Sequence, residues 1–536
     1  MAGQSGVMDA IDEIQDVFRV FVDRPCLISI SGQALTYGEV ERRAVTVAER
    51  LVAEGAKPGN VILMLAGNSV ELAITMLGAW TAGCIVAAVN PELGAEQITE
   101  IVTNADPRLI LATAATAKLG ATLASARATV LRFIEPLLQE GPGGTCDGAC
   151  SLVSKSSLGV SSRIFEHLRP NEPFLIVYTA GSTGTPKGIQ IAPEQLVRNE
   201  RLFCREMGIT EANRFYNFLP MSYLGGVHNL LLLPLSVGAS VVIDAPLGSS
   251  NLFVFWRRVR ERQIDTLWLT GAMLAMLLKL SPRDDESWIG GQVRLGLVGM
   301  APLQIEVQRR FEERFGFRLH QNYALSETLF LTSQRPDRSR ALGGNGQLLP
   351  GIEIMVRDQT GQPTAAGGEG ELFIRTPYMM CGYRRPSGVD AVALKDGIFR
   401  TGDLGFFDDA GELHISGRVK DLIIRGGLNI SPSLVERAIA GHSAVAEVAV
   451  VGVPDAVYGE EVVAVVVVHA GELSPGTENS LSDAIRSHAA QSLAVFERPK
   501  RVLIWPSLPR NHANKIDKPA IRLRLGTSPA PGLVAG

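Results

Sequence analysis

A loop rich in glycine, serine and threonine, TAGSTGTPKG at positions 179–188, begins where the apolar run FLIVYT ends. Glycines let a backbone fold tightly around an anion, and the hydroxyl and backbone N–H groups of such a loop can point toward it. Lys187 adds a positive charge. The pattern predicts a phosphate-binding loop after a buried strand, although a plain turn has a similar composition. It differs from the Walker sequence, because Pro186 stands in place of the second glycine and Gly188 follows the lysine.

Other residues that could do chemistry give weaker signals. Cys146 and Cys150 have no second pair or adjacent histidine that would complete a zinc site, so we interpret them as loop cysteines without a role. His228 is compatible both with the edge of a pocket and with a buried, hydrogen-bonded histidine. The chain contains neither G-x-S-x-G nor G-x-G-x-x-G, which excludes the usual hydrolase and dinucleotide-binding classes.

The elements that must position the loop follow from hydrophobic periodicity. Thr36 and Glu39 have capping-box spacing and precede a helical apolar face that ends before Gly55. Short apolar runs next to helical patterns predict buried strands, at 61–65, 109–112, 175–178 and 265–270. This alternation predicts an α/β fold built from parallel layers.

Changes in composition divide the chain into regions. A Gly- and Ser-rich stretch at about 140–173 predicts a long surface connection, and alternation punctuated by glycine at 343–414 predicts antiparallel strands. A helix at 431–440 and strands at 445–453 and 462–469 predict a compact C-terminal unit. We therefore expect an α/β fold with these parts: a large N-terminal region of α/β layers and a β-rich, barrel-like subdomain at 1–416, a hinge at 417–424, a small mobile α+β domain at 425–525, and a disordered tail at 526–536.

Composition and charge exclude several classes of function. The chain has 51 Lys and Arg against 55 Asp and Glu, a balance that argues against a nucleic-acid binder. The six cysteines are few and scattered, which favours a reducing, cytoplasmic location. The N-terminal residues lack a basic segment followed by an apolar one, and polar residues or proline interrupt the most hydrophobic stretches. We expect no secretory signal and no membrane span.

Seven motifs, in the same order and over nearly the whole chain, resemble those of the adenylate-forming superfamily, which includes acyl-CoA synthetases, adenylation domains of peptide synthetases and firefly luciferase. They begin with the 179–188 loop. The others are RLGLVGMAPL at 294–303, QNYALSE at 321–327, FRTGDL at 399–404, GRVKD at 417–421, RGGLNI at 425–430 and LPRNHANKIDK at 508–518. The resemblance implies a large ATP-binding domain, a hinge and a small mobile domain that carries a catalytic lysine.

The resemblance also implies roles for individual residues. Tyr323 would stack on adenine, Asp403 would accept hydrogen bonds from both ribose hydroxyls, and Ser326 would contact the α-phosphate. Glu327 would help to hold Mg²⁺, and Lys515 would be the catalytic lysine. The full set expected to bind nucleotide or thiol is Thr179, Gly181, Ser182, Thr183, Gly184, Lys187, Gly299, Met300, Ala301, Pro302, Asn322, Tyr323, Ala324, Asp403, Arg418, Gly426 and Gly427, with Lys420 as the hinge residue.

The implied reaction activates a carboxylic acid with ATP and Mg²⁺, giving an acyl-adenylate and pyrophosphate, and then transfers the acyl group to a thiol. The RGGLNI segment is similar to the form common in acyl-CoA synthetases, which favours coenzyme A as the acceptor. The phosphopantetheine of a carrier protein and an amine are the alternatives. A nucleotide-binding pseudoenzyme is a further alternative, and the presence of Lys515, Glu327 and Asp403 argues against it.

The acid pocket is expected to be apolar. Its predicted residues are Tyr223, Gly225, Val227, Val298, Met300, Leu325 and Leu329, and Gly225 and Gly226 are expected to leave space for a bulky aromatic, alicyclic or medium-chain acid. The segment at 218–230 has no Asp or Glu that could bind the ammonium group of an amino acid. Three departures indicate an unusual member: Ala324 in place of glycine, Tyr223 where many relatives have histidine, and Asn514 before the catalytic lysine.

Overall fold

The computed structural model describes residues 9–127, 129–138, 163–179, 186–248, 251–281, 286–300, 303–385, 388–390, 397–426, 428–455, 457–469, 471–473, 476–510 and 516–525. The α-helices of these residues are α1 (Ala10–Val20), α2 (Tyr37–Ala53), α3 (Val70–Thr81), α4 (Ala95–Ala105), α5 (Ala117–Arg127), α6 (Ile134–Leu137), α7 (Pro193–Met207), α8 (Leu233–Leu235), α9 (Phe255–Glu261), α10 (Gly271–Leu280), α11 (Ile289–Gln292), α12 (Ile305–Phe315), α13 (Pro432–Ala440), α14 (Glu478–Ala489) and α15 (Lys518–Arg524). Short 3-10 turns lie at Ala114–Thr116, Leu252–Val254 and Val419–Asp421, and Gly225–Leu232 form a π-helix.

The β-strands of the same residues fall into four sheets. They are β1 (Pro25–Ser29), β2 (Ala34–Thr36), β3 (Val61–Leu65), β4 (Ile85–Val89), β5 (Leu109–Ala112), β6 (Val130–Phe133), β7 (Leu175–Thr179), β8 (Lys187–Ile191), β9 (Arg214–Asn217), β10 (Ser240–Ile243), β11 (Thr266–Leu269), β12 (Leu295–Val298), β13 (Leu319–Leu325), β14 (Leu329–Ser333), β15 (Gln347–Leu348), β16 (Glu353–Arg357), β17 (Gly370–Arg375), β18 (Gly382–Arg385), β19 (Gly388–Asp390), β20 (Phe399–Phe407), β21 (Leu413–Arg418), β22 (Ile423–Arg425), β23 (Leu428–Ile430), β24 (Val445–Asp455), β25 (Gly459–Val468) and β26 (Arg501–Ile504).

Each of the two large sheets combines a run of parallel strands with antiparallel strands at one edge or both. The eight-stranded sheet has the order β6-β5-β3-β4-β7-β8-β18-β19 and is parallel from β6 to β7. The nine-stranded sheet has the order β2-β1-β10-β9-β11-β12-β13-β14-β15 and is parallel from β1 to β13. Such parallel strands are buried on both faces, which explains the continuous apolar runs in the sequence.

Helix α3 lies between these two sheets, because it contacts β4 of one sheet and β1 of the other. All its residues from Leu72 to Thr81 are buried. It packs on α2 at Gly78, where an added Cβ would lie 2.5 Å from the Val47 side chain. Helix α2 begins with the predicted capping box: Thr36 Oγ1 accepts from the Glu39 N–H at 3.2 Å, and Glu39 Oε2 accepts from the Thr36 N–H at 2.7 Å.

The β-rich region and the C-terminal region each form their own sheet. The first is an antiparallel sheet with the order β16-β17-β20-β21. The second has the order β23-β22-β25-β24, with β26 added in parallel to β25. Helices α13 and α14 pack on one face of this C-terminal sheet and α15 on the other. Sheet membership changes between Arg418, the last residue of β21, and Ile423, the first residue of β22.

The structure confirms the mixed α/β class, the large N-terminal and smaller C-terminal units, and the predicted strands at 61–65, 109–112 and 175–178. The strand predicted at 265–270 is formed by Thr266–Leu269. Most of the predicted connection at 140–173 and the whole tail at 526–536 lie outside the described residues. No helix in the described ranges is both long and apolar enough to cross a membrane.

Candidate functional site

Three predicted nucleotide-binding residues meet where the nine-stranded sheet adjoins the four-stranded sheet. The Tyr323 hydroxyl, on β13, donates to Asp403 Oδ2 at 2.7 Å. Arg418 Nε, at the end of β21, lies 2.8 Å from Asp403 Oδ1. Asp403 is 2% exposed, and its own N–H donates to Thr401 Oγ1. Burial, with the neighbouring Asp403 charge, raises the pKa of Tyr323 well above its ordinary value, so this phenol is a donor at neutral pH.

Glu327 lies in the turn between β13 and β14, next to Ser326. Its Oε1 accepts a hydrogen bond from the Tyr383 hydroxyl at 3.0 Å, and its backbone carbonyl accepts from the Met380 N–H at 2.8 Å. Burial raises the pKa of the Glu327 carboxyl, while the Tyr383 hydrogen bond and the positive charges of Lys187 and Arg418 oppose that rise. The Glu327 carboxyl is thus partly desolvated, and the residue is held by one side-chain contact and one main-chain contact.

Lys187 begins β8, directly opposite Thr179 at the end of β7. Its ammonium nitrogen lies 5.4 Å from the centre of the Tyr383 ring, a cation–π distance. The antiparallel pairing of β7 and β8 brings the two ends of the 179–188 loop together. Residues 180–185 of the loop lie outside the described residues.

The segment that follows β12 is fixed by Asn322. The Asn322 amide donates to the Val298 carbonyl at 3.0 Å, and an added Cβ at Gly299 would lie 2.6 Å from the Asn322 Oδ1. Only glycine fits this close approach. Met300 has φ 70° and is 36% exposed, a left-handed conformation that a side chain rarely adopts. Ala324, further along β13, is exposed.

Of the predicted acid-pocket residues, Tyr223, Gly225 and Val227 lie at the start of the π-helix or just before it, and Val298, Leu325 and Leu329 lie on β12, β13 and β14. Val227, Val298 and Leu329 are buried, and Leu325 pairs with Leu329 across the β13–β14 turn. Tyr223 is partly buried, and its backbone carbonyl accepts from the Gly226 and Val227 N–H groups.

The expectation that Gly225 and Gly226 leave space is wrong. An added Cβ at Gly225 would lie 2.8 Å from Met300 Sδ, so the Met300 thioether fills that side. An added Cβ at Gly226 would lie 2.2 Å from the Pro220 carbonyl oxygen, so this glycine is required by a close backbone approach. Neither neighbour could be predicted from the sequence.

The C-terminal region presents the β22–β23 hairpin, which carries Gly426. Gly426 has φ 59° and its N–H donates to the Tyr458 carbonyl at 2.7 Å. Arg425 stacks on the Tyr458 ring and forms an ion pair with Glu461. Lys420 is exposed in the 3-10 turn that separates β21 from this hairpin.

Some predicted site residues lie outside the described residues, so they stay predictions. They are Gly181, Ser182, Thr183, Gly184, Ala301, Pro302, Gly427 and Lys515, together with Asn514 and the cysteines Cys146 and Cys150.

His228 is buried in the π-helix, away from solvent. Its ring stacks on Phe330 at 4.7 Å, and its Nε2 lies 3.6 Å from Glu200 Oε1, too far for a hydrogen bond. Within the described part of the chain, neither Nε2 nor either Glu200 carboxyl oxygen has a hydrogen-bond partner. Burial lowers the pKa of His228 to about 3 and raises the pKa of Glu200 well above its ordinary value. Both shifts indicate a neutral acid beside a neutral imidazole, not an ion pair.

Sequence reasoning missed Tyr383. It follows Gly382 on the short strand β18, and its position in the sequence carries no charge or spacing signal that points to a site. Only the pairing of β18 with β8 brings it between Lys187 and Glu327.

Comparisons with known proteins identify the family to which the chain belongs. Residues 14–384 match the AMP-binding enzyme family, and residues 434–515 match the AMP-binding enzyme C-terminal domain. The chain is 30% identical to a sulfoacetate–CoA ligase of Cupriavidus necator over 92% of this chain and 94% of that protein. It is 29% identical to an oxalate–CoA ligase of Arabidopsis thaliana over 94% of this chain and 96% of that protein.

A solved structure resembles the whole fold. The ATP-bound crystal structure of MatB from Rhodopseudomonas palustris aligns with a TM-score of 0.83 at 26% identity, over 96% of this chain and 99% of that chain. The chain thus belongs to the AMP-binding enzyme family of the adenylate-forming superfamily, and it is an AMP-forming acid–thiol ligase.

Proposed function

We propose that the chain converts a carboxylic acid to its acyl-adenylate with ATP and then transfers the acyl group to coenzyme A. The observation that carries this proposal is the convergence of Tyr323, Asp403 and Arg418 beside Glu327 and Lys187. An aromatic ring, a buried carboxylate and several cations suit the adenine, ribose and phosphates of a nucleotide. Each Asp403 oxygen has a lone pair beyond its described partner, so the carboxylate can also accept from ribose hydroxyls.

In the first half-reaction a carboxylate oxygen attacks the α-phosphorus of ATP, and the bond from that phosphorus to the bridging oxygen of pyrophosphate breaks. The protein supplies no covalent nucleophile. It must align two anions and stabilise the charge that develops, which is the work of preorganised cations such as Lys187. We assign the same role to Lys515, with Ser326 as an α-phosphate contact.

Glu327 is the residue that would hold Mg²⁺. Among the described residues no group of three or more His, Cys, Asp or Glu side chains could form a closed metal site. A single carboxylate fits Mg²⁺, which commonly binds one or two protein carboxylates together with substrate phosphates and water. When bound, the metal would neutralise phosphate charge.

In the second half-reaction the thiol attacks the acyl carbon of the adenylate, and AMP leaves. We assign the thiol path to the β22–β23 hairpin, where Gly426 has the left-handed backbone and small size that let a ligand pass close to the main chain. The CoA ligases among the relatives support coenzyme A over a carrier protein or an amine as the acceptor.

The acid itself is proposed to be apolar, in the aromatic, alicyclic or medium-chain class. The predicted pocket residues carry no charge, and Val227, Val298 and Leu329 are buried hydrophobic residues. The short, doubly acidic substrates in the names of the relatives would need a cation that these residues do not supply. Met300, which lies against Gly225, forms the part of the acid-pocket wall that can change its shape, because the methionine side chain is flexible and polarizable.

Acid-dependent ATP–pyrophosphate exchange tests the proposal. The assay uses a panel of aromatic, alicyclic, medium-chain and short dicarboxylic acids, followed by product analysis with coenzyme A or amines as acceptors. Exchange with apolar acids and thioester formation would support the proposal. Exchange without thioester, but with amide, would favour the amine alternative. ATP binding with no exchange for any acid would favour a pseudoenzyme.

A further inference from the structure

Tyr383 contacts two charged residues of the proposed nucleotide site at once. Its hydroxyl donates to Glu327 Oε1 at 3.0 Å, and its ring lies 5.4 Å from the Lys187 ammonium nitrogen. We propose that Tyr383 is a positioning residue for adenylation, which orients the Glu327 carboxylate for Mg²⁺ and keeps Lys187 apart from that carboxylate. This inference rests on the proposed function, since it assigns a use to the same site.

Backbone pairing fixes the position of Tyr383. On β18, Tyr383 lies directly opposite Ile189 of β8. Lys187 is two residues before Ile189 on the same strand, so the Lys187 and Ile189 side chains share one face. Tyr383 and Lys187 are therefore diagonal neighbours across the strand pair, within reach of an aromatic ring.

A second backbone contact fixes Glu327 relative to this strand. The Met380 N–H, just before β18, donates to the Glu327 carbonyl at 2.8 Å. The segment that carries Tyr383 is thereby tied to the turn that carries Glu327. The Tyr383–Glu327 hydrogen bond joins two segments that the main chain already holds together, so little flexibility is lost when it forms.

The opposite charges of Lys187 and Glu327 explain why a residue that keeps them apart is useful for nucleotide binding. Lys187 and Glu327 have opposite charges, and a direct ion pair between them would occupy both groups that the triphosphate and its metal need. No such pair within 4.0 Å is found between these two described side chains, and Tyr383 contacts both of them. The Tyr383 hydrogen bond engages Oε1 and leaves Oε2 for another ligand.

The simpler alternative is that Tyr383 only satisfies a buried carboxylate and supports the fold. The two roles differ in their dependence on metal. A structural role would change ATP binding equally with and without Mg²⁺, whereas a positioning role would reduce only the additional affinity that Mg²⁺ provides.

The experiment measures ATP affinity by calorimetry, with saturating Mg²⁺ and with EDTA, on the wild type and on Tyr383→Phe. Phenylalanine keeps the ring under Lys187 and removes only the hydroxyl. We expect the Mg²⁺-dependent gain in ATP affinity to fall by about tenfold or more, because a hydrogen bond to a charged group is lost. Affinity in EDTA should be unchanged. Tyr378→Phe, on the same connecting segment, is the matched control and should change neither affinity.

A double-mutant cycle with Glu327→Gln tests whether Tyr383 acts through Glu327. In the Glu327→Gln background, Tyr383→Phe should have less than a twofold further effect on the Mg²⁺-dependent gain, since the group that it positions is already changed. Independent losses would overturn the proposal, as would equal losses with Mg²⁺ and EDTA or an unchanged Mg²⁺-dependent gain. The measurement uses ATP alone, so a wild type that activates no acid would contradict the proposed function and still leave the Tyr383 result decisive.

Discussion

Asp403 is the most enclosed charged group of the proposed nucleotide site. It is 2% exposed, and its two oxygens have Tyr323 and Arg418 as partners. Because each of its two oxygens has a partner, this carboxylate is fixed in orientation. It is therefore suited to bind a pair of neighbouring hydroxyl groups, and its removal would leave the Tyr323 hydroxyl without its partner.

We expect Asp403→Ala to weaken ATP binding by about 1.5 to 3 kcal/mol, the range for a hydrogen bond to a charged group. Calorimetric titration with ATP measures the change. Asp409→Ala, an exposed aspartate just beyond the same strand, is the control and should bind ATP as the wild type does. An unchanged ATP affinity in Asp403→Ala would remove the ribose assignment.

Met300 combines two properties that a single substitution can separate. Its φ of 70° is unfavourable for any side chain, and its thioether lies against Gly225. We expect Met300→Gly to stabilise the folded protein by up to about 1 kcal/mol. Relief of backbone strain stabilises it, and the greater freedom of glycine in the unfolded chain partly offsets that gain.

We also expect the Met300→Gly variant to accept larger acids. The ratio of exchange activity with larger acids to that with smaller acids should rise by about tenfold, roughly 1.4 kcal/mol. Chemical denaturation and pyrophosphate exchange measure the two effects. If the exchange rates with the different acids keep the same order in the variant, Met300 does not limit the size of the acid pocket.

The buried pair of Glu200 and His228 makes a pH-dependent contribution to stability. In the folded protein the pair holds one proton, because the pKa of Glu200 is raised and that of His228 is lowered to about 3. In the unfolded chain it also holds one proton between about pH 4.5 and 6.5, when His228 is charged and Glu200 is ionised. The contribution of the pair to the unfolding free energy is therefore nearly constant between these two pH values. It decreases below about pH 4.5 and above about pH 6.5.

In the Glu200→Gln variant, only His228 of this pair should contribute to the pH dependence of the unfolding free energy. A lowered histidine pKa gives stability that is present above the unfolded pKa and is lost as the pH falls toward the folded pKa. Between pH 7 and pH 5 we expect the variant to lose about 2 kcal/mol of unfolding free energy, while that of the wild type changes by less than about 1 kcal/mol. Denaturant titrations at both pH values measure this difference. Equal losses in the two proteins would mean that the two groups are not a neutral pair.

Much of the candidate site could be predicted from the sequence, because its residues lie in short motifs. Tyr323, Asp403 and Arg418 come from three separate motifs and do meet in the structure. Tyr383 could not be predicted, since its role depends on strand pairing between positions 383 and 189. The same limit explains Gly225 and Gly226, whose neighbours Met300 and Pro220 are set by tertiary packing.

At the scale of elements, helix α2 depends on the reciprocal cap between Thr36 and Glu39. This helix packs on α3 in the centre of the molecule, so its first turn supports the layer between the two large sheets. We expect Thr36→Ala to lower the free energy of unfolding by about 1 kcal/mol. The reciprocal capping hydrogen bonds of the N–H groups of residues 36 and 39 would no longer both be held in place. Denaturant unfolding measures this change. Thr46→Ala, at a half-buried position in the middle of the same helix, is the control and should change stability by less than about 0.5 kcal/mol.

Predictability differs between elements for a physical reason. Helix α2 and strand β3 have strong local signals, namely a cap with periodic apolar residues and a continuous apolar run. The π-helix Gly225–Leu232 has no such signal, because two glycines open it and every residue from Gly226 to Leu232 is buried, so no amphipathic pattern marks it. Tertiary burial against α7 and β9 stabilises it, and a single sequence does not reveal that burial.

At the scale of the whole molecule, the C-terminal hairpin that carries Gly426 is turned toward solvent. Ile424 and Leu428 on this hairpin are 55% and 49% exposed. The proposed thiol path is therefore not assembled in this arrangement, whereas Asp403 and Arg418 are in contact. We interpret the arrangement as the one used for adenylation, and we expect the C-terminal unit to rotate about the segment near Lys420 before the thiol attacks.

Lys420→Pro tests that rotation. Lys420 lies in a 3-10 turn at Val419–Asp421, where φ near −60° is typical and proline is accommodated. Proline would lock this φ and favour the observed arrangement. We expect pyrophosphate exchange to persist while thioester formation from the adenylate falls by about a hundredfold, roughly 2.7 kcal/mol.

Lys420→Ala is the matched control for this prediction, since it removes the exposed ammonium group without fixing φ. The two half-reactions are measured separately on the same preparations of both variants. If the alanine variant loses thioester formation as strongly as the proline variant, the lysine side chain matters and not the dihedral angle. If the proline variant loses both half-reactions in parallel, position 420 is an ordinary linker. Only a selective loss of the second step in the proline variant supports a hinge, because only a rotation between the steps would separate two reactions that share one nucleotide site.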